Sequence, residues 1–177
     1  ELARHLLDQA KLPDVKVERI EAGDHYSPAD KVVRLSAANF DGKSVTAVAV
    51  AAHEVGHALQ DRDGYRPLQL RQRLVGYSIA IERTGSILLM ATPFVFALTR
   101  SPVILLGELV VGLGILASAV VIHALTLPTE FDASFKRALP VLQNYLKAED
   151  MPAARSVLRA AALTYVENGE RLDQYRE

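Results

Sequence analysis

The chain has 177 residues, with 20 Lys and Arg against 21 Asp and Glu and a formal net charge of −1. This length suits one domain with a real core, and the near-neutral charge gives no support for nucleic-acid binding, which favours a strongly basic face. The absence of cysteine from these residues excludes disulfides, cysteine-ligated zinc and a thiol nucleophile. Half of the residues are apolar although 23% are charged, which indicates that the apolar residues are concentrated in part of the chain.

The first third of the chain predicts short elements followed by one longer helix. Apolar and turn patterns predict, in chain order, a helix, a strand, a turn and a second strand: Glu1–Lys11, Val15–Ile20, Gly23–Asp30 and Lys31–Leu35. Ser44 predicts the N-cap of a helix that ends near Arg62. Val32–Leu35 is either an ordinary sheet edge or an edge strand that holds an extended peptide by main-chain hydrogen bonds.

Two segments in the middle of the chain contain no charged residue. They are Thr84–Thr99 and the 21-residue segment Leu109–Thr129, with a turn near Arg100. A helix needs about 20 apolar residues to cross a bilayer core, so we expect a transmembrane helical hairpin over residues 84–129. The alternative is a buried helical hairpin in a soluble protein. Before the hairpin, Pro67 starts an amphipathic stretch that is expected at the membrane surface.

Basic residues predict the orientation of this hairpin. The turn carries Arg100, whereas the flanks carry seven basic residues: Arg62, Arg66, Arg71, Arg73, Arg83, Lys136 and Arg137. The positive-inside rule therefore places both flanks in the cytoplasm, with the lipid bilayer as a partner. Helices are predicted after the hairpin over Glu130–Tyr145 and from Pro152 to about Val166.

The helix predicted after Ser44 contains the H-E-x-x-H motif His53-Glu54-Val55-Gly56-His57. This spacing puts both imidazoles on one helix face, where they can bind one metal ion, and neutral imidazole suits zinc. Glu54 is suited to act as the general base for an attacking water and as proton donor to the leaving amine. The alternative is an exposed helix with two ordinary histidines. Apolar neighbours argue against it, because buried His and Glu side chains need partners.

A third protein ligand is expected downstream, in the segment Thr129–Ser134. Glu130 is the favoured ligand, since the hairpin returns the following helix towards the H-E-x-x-H helix. Asp132 is the alternative, although it lies on another helix face. There it is four residues before Lys136, a spacing that predicts a solvated ion pair.

The sequence resembles the YugP-type neutral zinc metallopeptidases of bacterial membranes in six segments: Ala51–Gln60, Gly64–Leu68, Leu127–Ser134, Asp24–Pro28, Arg34–Ser36 and Ala160–Val166. The resemblance implies a gluzincin-like peptidase with Glu54 as base and with zinc held by three residues: His53, His57 and Glu130. It also implies a membrane helix before Glu1. The related HtpX-type peptidases have an Asp four residues after the third ligand, where this chain has Ser134. That Asp supports the site in those peptidases, so Ser134 is the matching candidate for a supporting residue here, and the group that orients the first histidine is left open.

These observations predict a mainly α protein with a small β-sheet. A zincin-like catalytic domain, formed by the H-E-x-x-H helix and short edge strands, is interrupted by the transmembrane hairpin, which divides the chain into residues 1–83, 84–129 and 130–177. Candidates for contacting the substrate or its oxyanion are His25, Tyr26 and Tyr165.

The expected function is that of a zinc-dependent endopeptidase in the bacterial cytoplasmic membrane. It would cross the bilayer more than once and hydrolyse peptide or protein substrates at the cytoplasmic surface. The alternative is a catalytically silent zinc-binding membrane scaffold or partner-binding protein. A channel or transporter fragment is a third interpretation, prompted by Glu108 and His123 near the apolar segments.

Overall fold

The computed structural model describes residues 2–21 and 23–168, apart from the side chains at positions 75, 76, 78, 79, 82, 116, 119, 123 and 164–168. The elements are, in chain order, α1 (Leu2–Gln9), β1 (Lys16–Ile20), β2 (His25–Ser27), β3 (Val32–Ser36), α2 (Ala37–Phe40), α3 (Val45–Arg62), α4 (Arg66–Thr99), α5 (Pro102–Phe131), a π-helix (Asp132–Ala138), α6 (Leu139–Leu142) and α7 (Met151–Asn168). The described residues are therefore mainly helical with a small sheet, as the sequence predicts.

The chain divides into two compact units. The first combines Glu1–Gln69 with Leu127–Glu177, and the second is Leu70–Thr126. The first unit contains the sheet and the H-E-x-x-H helix. Both the helices and the sheet contribute side chains to its apolar core, which includes Leu7, Val33, Leu35, Val55, Leu142 and Leu158.

The sheet of the first unit has the strand order β1-β3-β2, with β1 parallel and β2 antiparallel to β3. The prediction that Val32–Leu35 forms an edge strand is therefore wrong, because β3 is the central strand. Its side chains at Val32, Val33 and Leu35 are all buried, and such a nearly continuous apolar run is typical of a strand covered on both faces. An outer strand, β2, lies within the segment that was predicted as a turn.

Helix α3 begins and ends where the sequence predicts. Ser44 is its N-cap, and the Ser44 side-chain oxygen accepts a hydrogen bond from the Ala47 amide at 3.1 Å. The helix packs closely against the π-helix at Gly56. A Cβ atom at position 56 would lie 2.6 Å from the backbone oxygen of Ala133, so only glycine fits there without a shift of the backbone.

The second unit consists of parts of α4 and α5, which lie side by side. A Cβ at Gly85 would meet Ile115 at 2.6 Å, and a Cβ at Gly112 would meet Leu89 at 2.9 Å, so the two helices run antiparallel. Pro102 starts α5, a position that suits proline. The amphipathic stretch predicted from Pro67 is not a separate element, since α4 is continuous from Arg66 to Thr99.

Large apolar side chains are exposed on both helices of this unit, among them Ile87, Met90, Phe94, Leu98, Val103, Leu106, Leu113 and Val120. Within the described residues, one helix, starting at Pro102, is long and apolar enough to cross a membrane. The apolar segment Arg83–Thr99 is shorter.

We predict that Gly56→Ala destabilises the first unit. A methyl group in a closely packed site costs about 1–3 kcal/mol, which outweighs the gain of about 1 kcal/mol that alanine normally brings to a helix. Gly107→Ala is the matched control, because nothing lies within 4 Å of a Cβ there. Thermal unfolding of both purified variants should show a lower midpoint for Gly56→Ala and an equal or higher one for Gly107→Ala. Equal midpoints would contradict the close approach.

Candidate metal centre

Two histidines one turn apart on α3 face a carboxylate from the C-terminal end of α5. The His53 and His57 rings meet edge to face, with centroids 4.7 Å apart. Glu130 Oε2 lies 3.4 Å from His53 Nε2 and 3.3 Å from His57 Nε2. All three residues are buried, and Glu130 is only 1% exposed. The structure therefore brings together the three residues that the sequence favoured as metal ligands.

The spacing of these atoms fits a zinc ion. One ligand atom from each residue can be chosen so that all three lie within 4.8 Å of one another. Two ligands bound about 2.0–2.1 Å from a tetrahedral zinc would lie about 3.3–3.4 Å apart. The two distances from Glu130 to the histidines have these values. Two imidazoles and a carboxylate are also a common ligand set of catalytic zinc.

Gln60 fixes the orientation of His57. The Nε2 group of Gln60 donates to the Thr129 carbonyl at 2.8 Å and to Asp132 Oδ2 at 2.9 Å. Its Oε1 atom must then face His57 Nδ1, which lies 2.9 Å away. Because an amide oxygen can only accept, His57 Nδ1 carries the proton and donates it. The lone pair of the neutral ring is left on Nε2, the atom that faces Glu130.

Ser134 does the same for His53. The Ser134 hydroxyl donates to the Leu158 carbonyl in α7 at 3.1 Å, and its oxygen lies 2.9 Å from His53 Nδ1. The hydroxyl has one proton, which the carbonyl takes, so its oxygen accepts from His53 Nδ1–H. The structure thus places Ser134 against the first histidine of the motif, and the His53 Nε2 lone pair also points towards Glu130.

Asp132 has a different environment from the solvated ion pair that the sequence suggested. It is buried, and Lys136 Nζ is 3.8 Å from its Oδ1 atom. Its Oδ2 atom accepts from Gln60 Nε2 and, at 2.8 Å, from Arg137 Nε. The reason is the π-helix, whose hydrogen bonds join residues five apart and so bring Arg137 beside Asp132. Asp132 is not part of the His-His-Glu group.

Arg137 extends this chain of contacts towards the surface. Its Nη1 atom donates to Asp63 Oδ2 at 2.6 Å, and its guanidinium group lies 5.8 Å from the centroid of the Tyr65 ring. Burial raises the pKa of Asp132, but hydrogen bonds from Arg137 and Gln60 outweigh it, so this pKa is below its usual value. Burial lowers the pKa of Arg137, but its hydrogen bonds to Asp132 and Asp63 outweigh this effect, so this pKa is above its usual value. Both groups therefore stay charged.

Of the other predicted site residues, Glu54 lies beside His53 in the helix, whereas Tyr26 and His25 have hydrogen-bond partners outside the His-His-Glu group. Glu54 follows His53 on α3 and is buried, with 6% of its surface exposed. The Tyr26 hydroxyl donates its proton to Asp61 Oδ2 at 2.7 Å, and burial, followed by this bond, raises the pKa of Tyr26. His25 Nδ1 donates to the Gly23 carbonyl at 2.8 Å. The side chain of Tyr165 lies outside the described residues.

Sequence reasoning missed four groups that surround the site, namely Gln60, Arg137 and the carbonyl groups of Thr129 and Leu158. Gln60 had a usable signal: it is a polar residue three positions after His57, a spacing that puts both side chains on the same side of the helix. Arg137 could not be found from α-helical spacing, because the π-helix changes which residues are neighbours. No side-chain pattern marks a backbone carbonyl as a hydrogen-bond acceptor.

Comparisons with known proteins agree with this geometry. The family model described as "Putative neutral zinc metallopeptidase" matches residues 1–169. The "Putative membrane protease YugP" of Bacillus subtilis (strain 168) is 38% identical over 172 residues, which cover 94% of this chain and 72% of that protein. No solved structure matches the chain. With a family match over nearly its whole length and a buried His-His-Glu group, the chain belongs to the neutral zinc metallopeptidase family.

Proposed function

We propose that the protein is a zinc-dependent endopeptidase in which His53, His57 and Glu130 bind the metal. The observation that carries this proposal is the number of ligands: the group found among the described residues has three members. Structural zinc sites have four protein ligands, whereas catalytic sites have three and keep a position for water. Three ligands next to a buried glutamate therefore favour catalysis.

The proposed reaction is hydrolysis of a peptide bond by water. A zinc ion held by these residues would act as a Lewis acid and would lower the pKa of a water bound to it. Glu54 takes a proton from the attacking water as the water oxygen bonds to the peptide carbonyl carbon. The C–N bond then breaks, and Glu54 returns the proton to the leaving nitrogen. Burial of Glu54 supports this role, because a site that excludes bulk water prevents the loss of the transferred proton to solvent.

A peptide substrate needs a place to lie near the metal ligands. Since β3 is a central strand, the outer edge of β2 is the better candidate for pairing with an extended peptide. Strand β2 is tied to the H-E-x-x-H helix through the bond from Tyr26 to Asp61. Within the described residues β2 pairs with β3 alone, which leaves its other edge for a substrate.

We further propose that the protein crosses the bacterial cytoplasmic membrane twice within residues 84–129, with the metal site on the cytoplasmic side. The exposed apolar side chains of α4 and α5 support insertion into lipid, and the relative from Bacillus subtilis is named a membrane protease. The excess of arginine in the flanks supports the orientation. The lipid bilayer is then a partner in addition to the peptide substrate.

Glu54→Gln tests the catalytic role. The amide cannot accept a proton, so we expect kcat/KM for peptide cleavage to fall by a factor of about 100 or more, while zinc remains bound at about one ion per chain. Digestion of a peptide library followed by mass spectrometry gives the first result, and elemental analysis gives the second. Glu149→Gln, at an exposed position, is the matched control.

The same experiment separates the enzyme from a silent zinc scaffold. A wild-type protein that holds zinc but cleaves no peptide would favour the scaffold, which has no need of Glu54. Equal cleavage by wild type and Glu54→Gln would show that the base has been wrongly assigned.

Glu130→Ala tests the third ligand. Zinc at 100 times its Kd should stabilise the wild type by about 2.7 kcal/mol, because it binds the folded state. We expect this zinc-dependent rise of the unfolding midpoint to disappear in Glu130→Ala and to persist in the exposed control Glu149→Ala. A full zinc response in Glu130→Ala would remove Glu130 from the site.

The membrane orientation can be tested with single cysteines, since the chain has none of its own. We expect Ser101→Cys, in the turn between α4 and α5, to react with a membrane-impermeant maleimide on intact spheroplasts. Asn144→Cys, an exposed position in the first unit, should react only after permeabilisation. The reverse pattern, or labelling of both before permeabilisation, would contradict the proposed topology.

A further inference from the structure

We propose that Gln60 is a positioning residue that holds His57 in the Nδ1–H tautomer, and that Asp132 acts on the metal site through Gln60. This inference rests on the proposed zinc site but concerns residues that do not bind the metal. It assigns a role to a glutamine three positions beyond the H-E-x-x-H motif and to the acidic residue that competed with Glu130 as a candidate ligand.

The amide of Gln60 has all its polar atoms in use. The side chain is fully buried, at 0% exposure, and it makes three hydrogen bonds. If the amide were turned over, its oxygen would face the Thr129 carbonyl and the Asp132 carboxylate, which are both acceptors. The network therefore allows one orientation of the amide. That orientation presents an acceptor, and no donor, to His57 Nδ1.

The tautomer of His57 follows from this orientation. A neutral imidazole has one N–H, and the acceptor at Gln60 Oε1 keeps that proton on Nδ1. The lone pair is then on Nε2, which lies 3.3 Å from Glu130 Oε2 and is the nitrogen available to a metal ion. Without the acceptor, the proton could move to Nε2 and block metal binding until it returned to Nδ1 or was lost.

Asp132 keeps the Gln60 amide in place. Gln60 Nε2 and Arg137 Nε both donate to the same oxygen, Asp132 Oδ2. Arg137 also forms an ion pair with Asp63 through Nη1. This second ion pair holds the guanidinium group in place, and the guanidinium group in turn fixes the Asp132 carboxylate. Asp132 therefore supports the site indirectly, because the Gln60 amide lies between its carboxylate and the His57 imidazole.

Gln60→Leu is the main test, because leucine has a similar size and removes both the acceptor and the donors. The imidazole nitrogen chemical shifts of zinc-free, ¹⁵N-labelled protein report the tautomer directly. We expect His57 to be the Nδ1–H form in the wild type and to shift towards the Nε2–H form in Gln60→Leu. The zinc Kd, measured by chelator competition, should rise by a factor of about 10–100. Gln143→Leu, at an exposed position, should leave both values unchanged.

Substitutions of Asp132 give a second test that leaves His57 and Gln60 intact. An amide oxygen can replace Oδ2 as the acceptor for both Gln60 and Arg137, so Asp132→Asn should keep the Nδ1–H tautomer and most of the zinc affinity. Asp132→Ala removes the acceptor and should weaken zinc binding several-fold. If Asp132 were itself a ligand, Asp132→Asn would lose affinity as severely as Asp132→Ala, which would overturn the proposal.

The result for Gln60 can be separated from the result for the zinc site. If the wild type binds no zinc, the proposed function fails, but the tautomer in the zinc-free protein still tests the role of Gln60. If the wild type binds zinc and Gln60→Leu keeps both the Nδ1–H tautomer and the wild-type Kd, the role of Gln60 is refuted while the zinc site stands. Should Gln60→Leu fail to fold, the two Asp132 variants decide by the same measurements.

Discussion

Glu130 reaches the two histidines because α3 and the π-helix approach each other at Gly56, where the Ala133 backbone takes the space of a side chain. Ser134 meets His53 and Asp132 meets Gln60 across this same interface. A separation larger by the width of a methyl group would lengthen each of these hydrogen bonds beyond its useful range. One glycine inside the H-E-x-x-H motif thus sets the geometry on which the ligands and their supporting contacts depend.

Burying these polar groups is costly unless each has a partner. The fold meets this requirement by ending each chain of hydrogen bonds on a fixed acceptor. The chain from His53 ends at the Leu158 carbonyl, and the chain from His57 divides between the Thr129 carbonyl and the Asp132 carboxylate. Because acceptors lie at the outer ends, both imidazoles in their neutral form direct their N–H outward and their lone pairs inward. The supporting contacts therefore prepare a site for a cation before any cation is bound.

Features of the fold and the site could be predicted from the sequence where they depend on residues close together in the chain. Local signals succeeded: Ser44 marked the start of α3, and the spacing of His53 and His57 put both on one face. The edge-strand prediction failed because strand order depends on pairing between distant segments, which no local pattern reveals. The buried run in Val32–Leu35 was a usable signal for a central strand, since an edge strand more often alternates.

The environment of Asp132 could not be predicted for a different reason. Helical spacing assumes the α-helix, and under that assumption Asp132 faces Lys136 in solvent. The π-helix adds a second basic neighbour, the half-buried Arg137, on the other carboxylate oxygen, so that Asp132 becomes part of the site's support. π-helices are rare and often occur at functional sites. The prediction for Asp132, which assumed α-helical spacing, therefore failed in the segment where the helix is not an α-helix.

The two histidines are supported by different side chains that have one property in common. His53 donates to a hydroxyl and His57 to an amide, so both Nδ1 partners are neutral. A carboxylate that accepted a hydrogen bond directly from Nδ1 would place negative charge close to the metal ligand and make the imidazole more basic. Gln60 instead separates Asp132 from His57 by the length of an amide. With zinc bound, Glu130 would then be the one charged ligand, and the ion with its three ligands would keep a net charge of about +1. That remaining charge lowers the pKa of a bound water, which the proposed hydrolysis requires.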